Sequence, residues 1–162
     1  MRGDHRLEGF EADEAETQLR LLDYLFASMG RKLEGLSEEQ VRVRHVPSGT
    51  TLLWLAKHVA AAESLWLEHF FTGELSREEL PDEDELDDET VATVVALMAR
   101  TARRTREIVA SHPDLDQLSV ADVPRHGHVS LRWILAHLVE EVARHAGHAD
   151  ILRELTDGAV GR

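Results

Sequence analysis

The residues of this sequence best suited to chemistry are ionisable side chains at positions where helical periodicity calls for apolar ones. Glu141 and His145 are separated by four positions, so on a helix they lie one turn apart on the same face and can converge on one point. His58 falls on the apolar stripe of an earlier segment, beside Leu55 and Leu65. Because an imidazole or a carboxylate is costly to bury without a partner, we expect these three side chains to meet in the folded chain.

The chemistry that these residue types offer is metal binding. Two neutral imidazoles and one carboxylate are ordinary ligands for Zn²⁺, Ni²⁺ or Fe²⁺, and three protein ligands leave coordination positions open for a substrate. The alternative is a hydrogen-bonded pair of Glu141 and His145, with His58 satisfied locally. The Glu-x-x-x-His spacing is common on helices, so the spacing alone leaves both interpretations open.

Other histidines of the C-terminal half are less well placed to join these three residues in a metal site. His137 and His148 lie on the same side of the last helical segment as Glu141, but further from the centre of its apolar stripe. His126 and His128 precede that segment in a loop, where they either line the mouth of a pocket or face solvent. We therefore expect Glu141, rather than His137 or His148, to complete the metal-binding set.

Apolar residues recur with helical periodicity in the segments that contain these side chains, and no alternating strand pattern is evident. Four long amphipathic segments are predicted, at residues 13–34, 50–72, 88–111 and 130–156. Asp13 and Ser130 are the expected N-caps of the first and last of them. Four such segments predict an all-α fold, a four-helix bundle.

The segments between these helices are too long for tight hairpins. Residues 36–49 contain a capping-box pattern, Ser37 to Gln40, that predicts a short helix. Residues 74–89 are rich in acids. Within them, the run from Asp82 to Glu89 lacks the glycine and the spacing of a calcium loop, so we interpret that run as a solvated linker. Together with residues 112–129, these lengths favour long crossover connections over the ends of the bundle.

Composition excludes several classes of function. The chain has no cysteine, which excludes disulfides, thiolate metal sites and a cysteine nucleophile. Its formal charge of -13 argues against binding to a nucleic-acid backbone. The N-terminus is too polar for a signal peptide, and no apolar run is long enough to cross a membrane. We expect one cytoplasmic domain over residues 1–162, with residues 1–12 as a flexible extension and a homodimer as an open option.

Two stretches carry a family resemblance: VPSGTTLLWLAKHVAAAESLW around His58 and HVSLRWILAHLVEEVARHAGHADILREL around His145. Over about residues 17–157 the chain resembles the DinB-like superfamily, particularly its actinobacterial DUF664 branch. The resemblance implies a four-helix bundle that holds a metal through one histidine of the second helix and two ligands of the fourth. In many members that pair is His-x-x-x-His. Here Glu141 takes the first position, which is similar to the mycothiol-dependent maleylpyruvate isomerases.

The resemblance implies His58, Glu141 and His145 as ligands of a divalent ion, most simply zinc, with nickel and iron as alternatives. It also implies a thiol-dependent S-transferase or isomerase, in which the metal activates mycothiol or a similar low-molecular-weight thiol toward an electrophilic substrate. Arg132, His148 and His128 are then candidate contacts to the thiol or the substrate, whereas the catalytic residues stay undefined. The alternative is a non-catalytic metal-binding protein of the same fold, associated with stress or with protein interactions.

Overall fold

The computed structural model describes residues 9, 11–84 and 86–160, and its architecture is an all-α bundle of four long helices. Their bounds are Glu14–Arg31 (α1), Leu52–Ser64 (α2), Val91–Ser111 (α3) and Leu131–Asp157 (α4). Shorter helical segments are the π-helical turns Leu65–Phe71 and the 3-10 turns Gln40–Arg42 and Arg77–Glu79. Within the described part of the chain there is no sheet, only two isolated bridges in residues 118–130. Most of the expected N-terminal extension lies outside the described residues.

The ends of the helices follow the signals in the sequence. Asp13 accepts a hydrogen bond from the backbone N–H of Glu16 (2.8 Å), and Ser130 caps α4 in the same way. Gly158 ends α4 in the left-handed conformation, with a φ of 75°, which glycine adopts without strain. The Ser37 and Gln40 box is formed in both directions, and the 3-10 turn Gln40–Arg42 follows it where a short helix is predicted. α1, α3 and α4 therefore lie where periodicity places them, to within a few residues at each end.

The second helix differs from the expected continuous α-helix over residues 50–72. After Ser64 it continues as π-helical turns to Phe71, a rare geometry that is frequent at functional sites. The helix stops before Gly73, whose φ of 68° places it in the left-handed region. Only glycine fits there, because a Cβ at this position would lie 2.8 Å from Cγ2 of Val120.

The bundle is a square in which α1 and α2 face each other across one diagonal and α3 and α4 across the other. α1 packs mainly on α4 and also on α3, while α2 packs on both α3 and α4. Because α1 lies diagonally opposite α2, and α3 diagonally opposite α4, the segment that connects each pair must cross an end of the bundle. The length of these linkers predicts such crossovers. The apolar faces of the helices pack against one another in one hydrophobic core. None of the described helices is long and apolar enough to cross a membrane.

Candidate metal centre

The predicted triad lies in the furrow between α2 and α4, which run antiparallel. His58 of α2 contacts His145 of α4, with ring centroids 4.7 Å apart, and Trp66 further along the second helix contacts His137, one turn before Glu141. The three side chains of the triad therefore come from two helices whose register the packing fixes. This is the meeting that the periodicity of the two stripes predicts.

The potential ligand atoms of His58, Glu141 and His145 all lie within 4.8 Å of one another. Oε1 of Glu141 stands between the two rings, 3.0 Å from Nε2 of His145 and 3.5 Å from Nε2 of His58. All three side chains are half-buried, with 14 to 18% of their surface exposed. Two imidazole nitrogens and one carboxylate oxygen that converge in this way fit a divalent ion of the zinc type, with positions open on the exposed side.

The orientation of the His58 ring is set by two groups outside the triad. Nδ1 of His58 lies 2.8 Å from Oε2 of Glu83, and a carboxylate at this distance favours the tautomer in which Nδ1 donates and Nε2 is available to a metal. Trp54, one turn earlier on α2, stacks on the other side of the ring, with centroids 4.7 Å apart and planes 11° from parallel. A carboxylate that holds the second nitrogen of a histidine is the usual companion of a metal ligand, because it fixes the tautomer.

The charges within the triad suit a cation. Burial by itself would raise the pKa of Glu141, but hydrogen bonds and charge from His145 and His58 offset it, so the pKa lies below its ordinary value. Burial lowers the pKa of His145, and the neighbouring His58 lowers it further. At neutral pH the site therefore presents an ionised carboxylate and a neutral imidazole, the protonation states that a metal ligand needs.

A cleft of about 560 Å³ opens directly beside the triad. His58 and Glu141 line it, together with Trp66, which lies two turns after His58 on the second helix. Ala61 and Ala62, which lie between His58 and Trp66 in the sequence, also line the cleft, and their small side chains leave room there. The rim is the segment after the π-helical turns, and it carries four charged residues: Arg77, Glu78, Asp82 and Glu83. The volume falls within the range of small-molecule sites.

The other candidate contacts lie at different distances from the triad. Nδ1 of His148 is 3.4 Å from Nδ1 of His145, and His148 also lines a separate apolar pocket of about 240 Å³. Arg132 instead pairs with Glu14 and Asp116 at the surface.

His128 is held inside its loop, where its Nδ1 donates a hydrogen bond to the carbonyl of Ser119 at 2.8 Å. His137 stacks on Trp133 rather than joining the triad, with ring centroids 5.1 Å apart. The fold thus brings His148 to the triad, and it does not bring Arg132 or His128 there.

Sequence reasoning missed the role of the acidic segment. Its interpretation as a solvated linker is wrong for three of its residues, since Glu83 bonds His58, Asp84 accepts a hydrogen bond from Nε1 of Trp54, and Glu89 pairs with Lys57. The acidic segment therefore packs along α2 through these three side chains. Charge runs carry no periodicity, so nothing in the sequence indicates which acid faces a histidine.

Comparison with known proteins adds a family and a fold. A family model described as mycothiol-S-transferase matches residues 17–158. No curated protein matches the chain. Among solved structures, the crystal structure of a conserved protein of locus from Enterococcus faecalis superposes with a TM-score of 0.61 at 17% identity. The match covers 92% of this chain and 100% of that one. At this identity the likeness supports the fold alone.

Proposed function

Because the chain belongs to the mycothiol-S-transferase family, whose members are DinB-like, we propose that it is a metal-dependent S-transferase that uses mycothiol as its thiol co-substrate. The observation that carries the proposal is the cleft that opens on His58 and Glu141. A metal site with a purely structural role is normally closed by protein ligands, whereas a catalytic one keeps a position open to substrate. This feature favours an enzyme over the non-catalytic alternative.

His58, Glu141 and His145 would hold the ion, and zinc is the metal that best suits two nitrogens and one oxygen at a half-buried site. The ion, when bound, would favour the thiolate form of a thiol at neutral pH, since a nearby dication stabilises the anion. With one carboxylate among the ligands, the site keeps a net charge of about +1, which still attracts a thiolate. The three ligand side chains are then engaged and none of them serves as a general base.

The remaining residues position these groups. Glu83 would favour the tautomer of His58 that leaves Nε2 available to the ion, and the stacked Trp54 limits rotation of the ring. Nη1 of Arg144 lies 3.5 Å from Oε2 of Glu141, so the carboxylate is held at both oxygens. Ligands fixed before the ion arrives reduce the entropy that binding must overcome.

The rim of the cleft suits the thiol that the family name specifies. Mycothiol is an uncharged thiol that carries a sugar and a cyclitol, both rich in hydroxyl groups. Glu78, Asp82 and Glu83 offer carboxylate oxygens that accept hydrogen bonds from hydroxyls. The same acids oppose anionic thiols such as glutathione, and Arg77 offsets only part of that charge.

The proposal is tested by loading the protein with cobalt, a coloured substitute for zinc, and titrating it with mycothiol. We expect a thiolate-to-metal charge-transfer band that saturates with mycothiol and is weaker with glutathione. His145→Ala should abolish the band, and Arg132→Ala should keep it, because Arg132 is engaged with Glu14 and Asp116 away from the triad. If mycothiol, bacillithiol and glutathione all leave the cobalt spectrum unchanged, the transferase proposal is wrong and the non-catalytic alternative replaces it.

A further inference from the structure

Aromatic rings cluster around Trp66, which lines the cleft, although aromatic residues make up only 5% of the chain. Trp66 and Trp133 lie with ring centroids 5.4 Å apart, and His137 packs against both, 4.6 Å from Trp66 and 5.1 Å from Trp133. His126 adds a fourth ring, 5.3 Å from Trp133. We call Trp66, Trp133, His137 and His126 the aromatic end.

The rings come from three separate parts of the chain, so the cluster is a product of the tertiary fold. Trp66 lies in the π-helical turns, Trp133 and His137 lie in the first turns of α4, and His126 lies in the loop before it. Trp133 keeps 38% of its surface exposed, which is unusual for an indole that already has three ring partners. A cluster formed only to fill the core would bury this ring.

The aromatic end is placed to serve the same reaction as the triad. Trp66 lines the cleft together with His58 and Glu141, and His137 is one helical turn from Glu141. A molecule that contacts Trp66 from the cleft, and Trp133 beside it, can therefore extend along the cleft toward the triad. Indole faces attract flat, polarisable rings through stacking and attract cations through their quadrupoles.

The charge of the cleft decides which flat molecules fit. Its lining carries the carboxylates of Glu78, Asp82, Glu83 and Glu141 against the single guanidinium of Arg77. A bound dication would offset part of this charge at the triad, yet the rim would stay acidic. An anionic substrate would be repelled at the entrance, whereas an uncharged or cationic one would not.

We propose that the aromatic end binds the second substrate, and that this substrate is an uncharged or cationic planar aromatic electrophile. The inference rests on the proposed transferase function and specifies the substrate class for it. For a chloroarene the sulfur of the thiol forms a bond to the ring carbon, the carbon–chlorine bond breaks, chloride leaves, and the thiol proton passes to solvent. Dicarboxylate substrates, such as maleylpyruvate, are excluded by the acidic rim.

The first test compares three electrophiles with zinc-loaded protein and mycothiol: 1-chloro-2,4-dinitrobenzene, its anionic relative 4-chloro-3,5-dinitrobenzoate, and the non-aromatic iodoacetamide. We expect the uncharged arene to be the best substrate. Trp133→Ala should lower kcat/KM for the uncharged arene about tenfold, mainly through KM, and leave iodoacetamide unchanged. Trp133→Phe should restore most of the loss, because it keeps a ring. Leu155→Ala, on an exposed position of the same helix, is the matched control.

The second test needs neither metal nor thiol. The unreactive analogue 1,3-dinitrobenzene should bind metal-free protein saturably, measured by calorimetry, and Trp133→Ala and Trp66→Phe should each weaken that binding. If 1,3-dinitrobenzene does not bind, or if Trp133→Ala affects the arene and iodoacetamide equally, the aromatic end is not the substrate site.

Different results would refute the transferase proposal and the proposal about its second substrate. A cobalt–thiolate band without binding of the arene would leave the transferase function intact and overturn the inference about its substrate. Preferential use of 4-chloro-3,5-dinitrobenzoate would overturn the charge argument, even with the aromatic end engaged.

Discussion

Two carboxylates on opposite sides of α2 have contrasting surroundings. Glu141 faces α2 from α4 and lies between two imidazoles beside an open cleft. Glu63, on α2 itself, faces α3 and has only 1% of its surface exposed. One of its oxygens accepts a hydrogen bond from Thr105, and the other has no partner among the described residues.

The difference shows that burial raises the pKa of a carboxylate unless its partners offset that effect. Burial raises the pKa of Glu63 to about 7, and the negative charges of Asp23 and Glu68 act in the same direction. Glu141 is partly buried too, but its two histidines hold its pKa below the ordinary value. The first group is therefore about half protonated near pH 7, whereas the second stays an anion that can bind a cation.

Replacing the glutamate by glutamine should affect metal affinity at one of the two sites only. The loss at the triad is the largest effect that we expect. Glu141→Gln removes the only anionic ligand, so metal affinity should fall by about a hundredfold or more, since even groups that merely orient ligands contribute about 10–100-fold. Competition with a chromophoric chelator measures this. Glu63→Gln should leave the affinity unchanged, and equal losses in the two variants would refute the distinction.

Glu63 should instead make the fold sensitive to pH. Its pKa is higher in the folded chain, about 7, than the ordinary value of 4.5, so the folded state binds the proton more tightly. The free energy of unfolding should therefore decrease as pH rises from 4.5 to 7, by about 3 kcal/mol from this group alone. Denaturant unfolding of metal-free protein across this range checks it.

Glu63→Gln should flatten that dependence, because the amide does not titrate. Glu141→Gln should leave it in place. A metal-free protein whose stability is the same at pH 5 and at pH 7 would contradict the assignment of a raised pKa to Glu63.

A smaller effect is expected for Glu83, which orients a ligand without being one. Glu83→Gln should weaken metal binding by about tenfold, at the lower end of the range for such groups, because Glu83 is 38% exposed and water can replace it in part. Asp82→Asn, beside it on the same rim, is the control and should leave affinity unchanged. An unchanged affinity in Glu83→Gln would show that the tautomer of His58 does not depend on this contact.

The smallest effect is expected at Arg132, which pairs with Glu14 and Asp116 near the start of α4. Because surface ion pairs contribute little, Arg132→Ala should lower the melting temperature only slightly and leave metal affinity unchanged. A loss of metal affinity in this variant would mean that Arg132 acts on the triad after all. Chelator titration and thermal unfolding of the same sample separate the two outcomes.

Much of the architecture could be predicted from the sequence because local rules determine it. The periodicity of four stripes, the caps at Asp13 and Ser130 and the stop at Gly158 depend only on near neighbours along the chain, and they correctly predict the four helices. The turn between Glu141 and His145 is equally local. Because His58 lies on an inward stripe, its meeting with that pair follows once the two helices pack.

Other features were decided only by the tertiary structure. Glu83 reaches His58 across a linker whose acids are indistinguishable in the sequence, and the aromatic end joins Trp66 to Trp133 from two helices. The pKa of Glu63 depends on which face of α2 meets α3 and on a single hydroxyl. The order of side chains along the chain specifies the helices. Contacts between groups far apart in the sequence depend on the register and crossing angles of packed helices, which no local pattern encodes.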